Sequence, residues 1–270
     1  MRHWKRVGCG SELTEEDVLA AEEQFNRAKA SPKSSPLFSA AAISPAIEIE
    51  VHWHVVASNI TIEGGWIPYE QIDAQMQVLN MDYAEVGITW KHVSTTRIIS
   101  TDWFQNLSLG RDINKANIMK RVFRKGGSDS LNVFTVGFTE SNLLGYATFP
   151  WKYATEDAID GVVIRHSSLP GGTARRNNGG RTLTHEVGHW LGLYHTFQGG
   201  CVGVGDLVSD TPASAQANFG CPVQRDTCAG EGLDPIHNHM DYTDDSCKTG
   251  FTPGQIERMQ AAVRTFRVSF

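Results

Sequence analysis

The stretch His185-Glu186-Val187-Gly188-His189-Trp190-Leu191-Gly192-Leu193-Tyr194-His195 constrains this chain more than any other. It fits the pattern H-E-x-x-H-x-x-G-x-x-H. Residues four apart lie on one face of a helix, one turn above each other. His185 and His189 therefore converge on a single ion. Glu186, next to the first histidine, reaches a water held at that ion. Gly192 lets the chain leave the helix sharply, because glycine tolerates positive φ. The turn brings His195 round as a third ligand. Three neutral imidazoles with one open position describe a catalytic zinc site, whereas closed four-ligand sites are usually structural. Chance is a poor rival. With 10 His and 26 Gly in 270 residues, the expected count of this pattern is on the order of 10⁻⁴.

The rest of the chain supplies a frame for that helix. Glu12 to Lys29 reads as an amphipathic helix. A Pro/Ser run, Ala30 to Pro36, follows and cannot be crossed by a helix. We therefore divide the chain into an N-terminal segment with linker, residues 1–45, and a main domain, 46–270. Alternation and β-rich runs predict strands at 47–57, 88–99, 131–138, 143–149 and 161–165. Helical spacing predicts helices from Pro68 to Val86, Asn114 to Arg124, Thr182 to Leu193 and Pro253 to Val268. Residues 199–232 are dense in Gly, Pro and Asp and need something besides a hydrophobic core to hold them. The formal net charge of −6 argues against a nucleic-acid partner. No apolar run is long enough to span a bilayer, so no membrane partner is expected. The basic start, Met1 to Arg6, is not followed by the apolar stretch of a secretory signal.

A second motif agrees with the first. Met240, in Asn238-His239-Met240-Asp241-Tyr242, follows the last histidine by 45 residues. A Met-containing turn in this position is the mark of metzincin peptidases, with the methionine packed beneath the imidazoles. Together with Asp210-Thr211-Pro212 and the run Asp234 to Cys247, these residues resemble the pappalysin family of metzincins, and more narrowly its small secreted members. His239 departs from the aromatic residue more common before the methionine.

The resemblance implies an α+β fold: a metzincin-like twisted five-stranded mixed sheet with backing helices, an active-site helix, and an irregular, disulfide-stapled C-terminal half ending in a helix. It implies a zinc-dependent endopeptidase that acts as a monomer on protein or peptide substrates. It also implies that residues 1–45 are a prosegment with linker and 46–270 the metallopeptidase catalytic domain. His185, His189 and His195 hold Zn²⁺ and Glu186 is the general base. Tyr242 resembles the metzincin tyrosine near the developing oxyanion, or is a packed core tyrosine. Leu144 to Thr148 corresponds to the sheet edge above the cleft. There Gly145, Tyr146 and Ala147 are candidates to receive an extended peptide as an added strand, unless this is a plain edge strand ended by Pro150. Asp244 and Asp245 stand where metzincins build the primed-side pocket. They would favour a basic side chain there, or form a solvated acidic turn. A structural Ca²⁺ near Asp206 and Asp210 is a further implication. Other readings are a zinc hydrolase of a non-peptide amide, and a catalytically silent binding module. The sequons at Asn59 and Asn106 matter only on a secretory route.

Five cysteines complete the reading. Cys201, Cys221, Cys228 and Cys247 allow three pairings. The family pattern resembles Cys201–Cys228 with Cys221–Cys247, which implies an oxidising, extracellular setting. Cys9 is left over. It resembles the family's prosegment cysteine, which closes the open zinc position, or it is an unpaired surface thiol.

Overall fold

The computed structural model describes residues 8–30, 47–107, 113–230 and 232–267. The Pro/Ser run and the boundary at 45/46 lie largely outside these residues. A six-stranded sheet organises the first two-thirds of the chain. Its strands are β1 (Gly8–Cys9), β2 (Ile47–Ala57), β3 (Ile88–Ile99), β4 (Ser130–Val136), β5 (Leu143–Ala147) and β6 (Val162–Arg165). Their spatial order is β1-β5-β6-β4-β2-β3. Only β5 runs antiparallel to its neighbour β6; the other pairings are parallel. Five of these strands answer to the sequence reading. The sixth, β1, is contributed by the N-terminal segment, and two residues carry no periodicity from which to expect it.

Layers cover both faces, so β4 is buried along its whole length, as a central parallel strand should be. One face packs Ile49, Val51, Trp53 and Val133 against α2 (Tyr69–Asp82) and α6 (Arg181–Trp190). The spacing of Ile72, Met76 and Leu79 places all three in that core. The other face packs Val56, Phe134, Val136 and Val163 against α4 (Ile113–Phe123), beside α3 (Thr101–Asn106). Helix α1 (Glu15–Lys29) starts later than the pattern suggests, because Thr14 caps it in a reciprocal box with Asp17. A short helix, α5 (Tyr153–Glu156), links β5 to β6.

Beyond α6 the architecture changes. From 191 to 252 the described residues contain no helix or extended strand. Disulfides join Cys201 to Cys228 and Cys221 to Cys247, with Cα separations of 5.3 and 5.5 Å. Four buried aspartates accept backbone N–H groups. Asp206 takes that of Val208, Asp234 that of Thr227, Asp241 that of Asn218 and Asp245 that of Gly179. Each bond satisfies a donor that a strand would otherwise have paired.

The chain closes with α7 (Pro253–Ala262), capped by Thr252 and Gln255. A wider helical turn then carries Arg267 into the core. Its guanidinium pairs with Asp160 at 2.9 Å, donates to the Trp190 carbonyl at 3.0 Å and lies 3.7 Å from the Trp190 ring centre. The C-terminal end of α6 is thereby pinned. Its N-terminal end is held by Asp82, which accepts from Thr184 at 2.7 Å and pairs with Arg181 at 3.1 Å. No described helix is long and apolar enough to cross a membrane.

Candidate metal centre

Helix α6 presents His185 and His189 side by side, and Gly192 at φ +93° turns the chain so that His195 joins them. The Nε2 atoms of His185 and His195 lie 3.2 and 3.1 Å from that of His189. Ligands of a tetrahedral ion with bonds of 2.0–2.1 Å sit about 3.3 Å apart. The opposite ring nitrogens set the tautomers. His185 Nδ1 donates to the His239 carbonyl at 2.8 Å and His189 Nδ1 to the Leu193 carbonyl at 2.7 Å. Both Nε2 atoms are then bare lone pairs pointing into one space. Burial holds His189 near a pKa of about 4, and pushes His185 and His195 down as well, so all three rings are neutral. Converging neutral lone pairs repel one another unless a cation sits between them. Three imidazoles in this arrangement fit zinc.

Met240 forms the floor. Its side chain fits against Gly188, where any larger residue would collide with the thioether. Asn238 orients the turn by accepting from Met240 N at 2.9 Å and donating to Gln255 at 2.7 Å. Asp241 accepts from Tyr242 N at 2.7 Å. The Tyr242 hydroxyl reaches within 3.2 Å of both His195 Nε2 and the Cys9 carbonyl oxygen.

The N-terminal segment occupies the open side. The Cys9 sulfur and the three imidazoles can offer ligand atoms that all lie within 4.8 Å of one another. Cys9 Sγ donates to Glu186 Oε2 at 3.3 Å. Burial, together with the neighbouring Glu186, holds Cys9 as a thiol, and burial lifts the Glu186 carboxyl to about 8. The segment also pairs with the sheet edge. Gly10 N donates to the Gly145 carbonyl at 2.9 Å and Ala147 N to Ser11 Oγ at 2.9 Å. Gly145 backs directly onto Glu186, with no room for a side chain. The Tyr146 ring points to the opposite face, among Phe138 and Val163.

Beside Glu186 opens a cavity of about 210 Å³. It is lined by Gly8 and Cys9 of the N-terminal segment together with Thr182, His185, Glu186, Tyr242, Asp244 and Lys248. Asp244 faces Arg176 at 3.8 Å. Asp245 does not line the cavity; its carboxylate turns to the N–H groups of Gly179 and Arg181 at 2.7 and 3.3 Å. Asp210 is likewise engaged, accepting from Thr252 and Gly254 at the start of α7. Asp206 is buried and accepts from Val208 N at 3.0 Å, and burial pushes its carboxyl up to about 7. Lys248 was not singled out from sequence. It follows Cys247 in a stretch without periodicity, and only the disulfide hints that the next side chain turns inward. Asn59 is exposed and Asn106 half-buried, while Ser108 of the second sequon lies outside the described residues.

Comparison with known proteins agrees with this geometry. Residues 128–264 match the family model described as pregnancy-associated plasma protein-A. An extracellular metalloprotease of Verticillium alfalfae is 43% identical over 268 residues, covering 97% of this chain and 91% of that protein. Extracellular metalloprotease 1 of Coccidioides posadasii is 45% identical over 230 residues, covering 84% and 80%. Among solved structures, a promirolysin mutant of Tannerella forsythia superposes with a TM-score of 0.77 at 29% identity, covering 96% of this chain and 95% of that one. Mature mirolysin of the same organism, in complex with a cleaved peptide, gives 0.68 at 30% identity, covering 83% and 96%.

Proposed function

This chain belongs to the pappalysin family of zinc metallopeptidases, and from that premise we propose a secreted endopeptidase made as a latent precursor, with Glu186 as its general base. The observation that carries the proposal is the placement of Glu186 beside three converging imidazoles, against the sheet edge where a peptide backbone would lie.

Zinc held by His185, His189 and His195 would polarise the scissile carbonyl and lower the pKa of a bound water from about 15.7 toward 7. Glu186 accepts the proton of that water and returns it to the leaving amine. The Tyr242 hydroxyl, held at the site by the Asp241 turn, donates to the oxygen on which negative charge develops. The substrate backbone lies along β5, exchanging hydrogen bonds with Gly145 and Ala147, while the Tyr146 side chain anchors the strand from behind. Residues 8–11 occupy this edge in the precursor, where the Cys9 sulfur would, as a thiolate, offer the metal a fourth ligand. Family coverage supports the division. The pro-form spans 96% of this chain and the mature form 83%. The difference of 96 − 83 = 13 points is about 35 residues, close to the length of the proposed prosegment. The names of the relatives and the two disulfides support secretion. We assign a structural calcium to the loop around Asp206.

Metal analysis and a casein digest with and without chelator test the reading. Glu186→Ala is expected to retain one zinc and lose at least 10³-fold in kcat. Undiminished hydrolysis by that variant would remove Glu186 from the mechanism. Chelator-insensitive hydrolysis by the wild-type chain would remove the metal.

A further inference from the structure

We propose that the cavity beside Glu186 receives a carboxylate of the substrate, and that Lys248 selects it. The inference rests on the peptidase reading above and concerns which peptides that site prefers.

Three observations carry it. Lys248 is only 7% exposed, yet it lines a cavity that opens next to the metal site. Among the described residues its ammonium has no hydrogen bond or ion pair shorter than 4 Å. A buried lysine without a partner is uncommon, because desolvating a charge is costly unless something compensates. The surrounding carboxylates of Asp245, Asp241 and Glu186 favour its charge through space, but none makes a direct bond to it, and burial still pulls its pKa down. Asp245 is turned to the Gly179 and Arg181 amides, Asp241 to Asn218 and Tyr242, and Asp244 faces Arg176. Glu186 is reserved for the metal site and is held by Cys9 in the precursor.

In the cavity lining itself three cationic side chains, Arg175, Arg176 and Lys248, stand against two carboxylates, Glu186 and Asp244. Arg175 and Arg176 stand exposed among its lining residues, and Lys248 lies within. The volume of about 210 Å³ is bounded in part by Gly8 and Cys9 of the N-terminal segment. It is already far above the ~10–15 Å³ that holds one water, and loss of that segment on maturation widens it, so a side chain fits. A substrate carboxylate entering there would meet an ammonium that has no competing bond to break. An arginine or lysine would meet Lys248 head-on. A carboxylate preference runs opposite to the expectation of a basic one drawn from Asp244 and Asp245: Asp244 lines the same cavity, whereas Asp245 is turned to the Gly179 and Arg181 amides.

The carboxylate has two possible sources, an Asp or Glu side chain or the free C-terminus of a short peptide. Both are tested on the full-length chain after maturation, using two sets of fluorogenic peptides. One set is amidated and varies a single residue flanking the scissile bond among Glu, Gln, Ala and Arg. The other carries its only carboxylate at the C-terminus. We expect kcat/KM for the Glu peptide, or for the free-terminus peptide, to exceed that of its neutral counterpart by about 10- to 100-fold, the range of a charge-assisted bond. Lys248→Met should abolish the preference and Lys248→Arg preserve it. Lys248→Glu should move it toward Arg. Zinc content and thermal unfolding of each variant report whether it folds, and Lys248→Gln replaces any that does not. Chelator-sensitive hydrolysis with no carboxylate preference overturns the inference while leaving the peptidase reading intact. So does a preference that survives Lys248→Met. Absence of all chelator-sensitive hydrolysis overturns the peptidase reading instead.

Discussion

The sheet half and the loop half of this molecule meet at α6, and they solve the problem of burial by different means. In the sheet half, strands β2, β4 and β6 satisfy their own backbones and bury Val, Ile, Phe and Trp on both faces. In the loop half, residues 191–252 pair few of their backbone groups with each other in regular ladders. Aspartates 206, 234, 241 and 245 take over that task, and two disulfides shorten the free chain. The first solution is distributed over many weak contacts. The second depends on a few points. The residues of the candidate site come from both: His185, His189 and Glu186 from the end of the regular half, and His195, Met240 and Tyr242 from the irregular one. A metal that gathers ligands from both halves also ties them together.

The sharpest way to break the comparison is to remove one point from the loop half. Replacing Cys221 and Cys247 together by serine is expected to lower stability by roughly 2–4 kcal/mol, the range for loops of this size. Denaturant unfolding measures the total. Hydrogen exchange shows where the loss falls, and it should be largest over 199–250, with β2, β4 and β6 still protected. Uniform loss of protection would mean that the two halves unfold as one unit, and that the contrast is one of construction only.

A smaller effect separates the halves by pH. His54 in β2 is fully buried, stacks on Phe134 at 4.3 Å and donates from Nε2 to Asn132 at 2.9 Å. Burial lowers its pKa from 6.5 to about 4. The unfolded chain therefore binds a proton between those values that the folded chain refuses. The resulting stability is complete above pH 6.5 and is lost as pH falls toward 4. The contribution is at most on the order of 3 kcal/mol. In His54→Gln the difference in stability between pH 7 and pH 4.5 should shrink. An unchanged difference would place the acid sensitivity elsewhere.

How much of this was legible in the sequence follows the same division. The zinc helix was readable because its five fixed residues act within three turns of one another. The five long strands and α2 were readable because their periodicity records which face is covered. Where contacts are local or periodic, sequence speaks for them. Helix α3 was missed because six residues carry too little pattern, and β1 because a two-residue strand exists only by virtue of the edge it meets. The loop half was opaque for a different reason. An aspartate that accepts a backbone amide 23 or 66 residues away leaves no local mark. Asp244 and Asp245 show the consequence: adjacent, identical residues, one facing the cavity and the other facing a backbone turn. Lys248 is the same case with the opposite charge.

The smallest expected increment is the response to calcium at Asp206, a group whose pH dependence is opposite in sign to that of His54. Burial raises this carboxyl from 3.8 to about 7. A raised carboxyl favours the protonated folded state, so the stability it contributes is present below pH 3.8 and is lost as pH rises through 7. A cation bound at Asp206 would cancel that loss by compensating the ionised form. Calcium at ten times its dissociation constant should then add about 1.4 kcal/mol. It should raise Tm at pH 7.5 more than at pH 5, where protons compete for the same oxygens. Asp206→Asn should flatten the pH dependence between 4 and 7 without calcium, and erase the calcium-induced rise. The measurement is thermal unfolding with zinc saturated throughout, so that only the loop-half site changes. A calcium response of equal size in Asp206→Asn would move the site to other oxygens of the loop. No response in the wild-type chain would leave the loop half without a calcium support beside its disulfides and aspartate–amide bonds. It would then be a fold that weakens toward neutral pH while the sheet half strengthens.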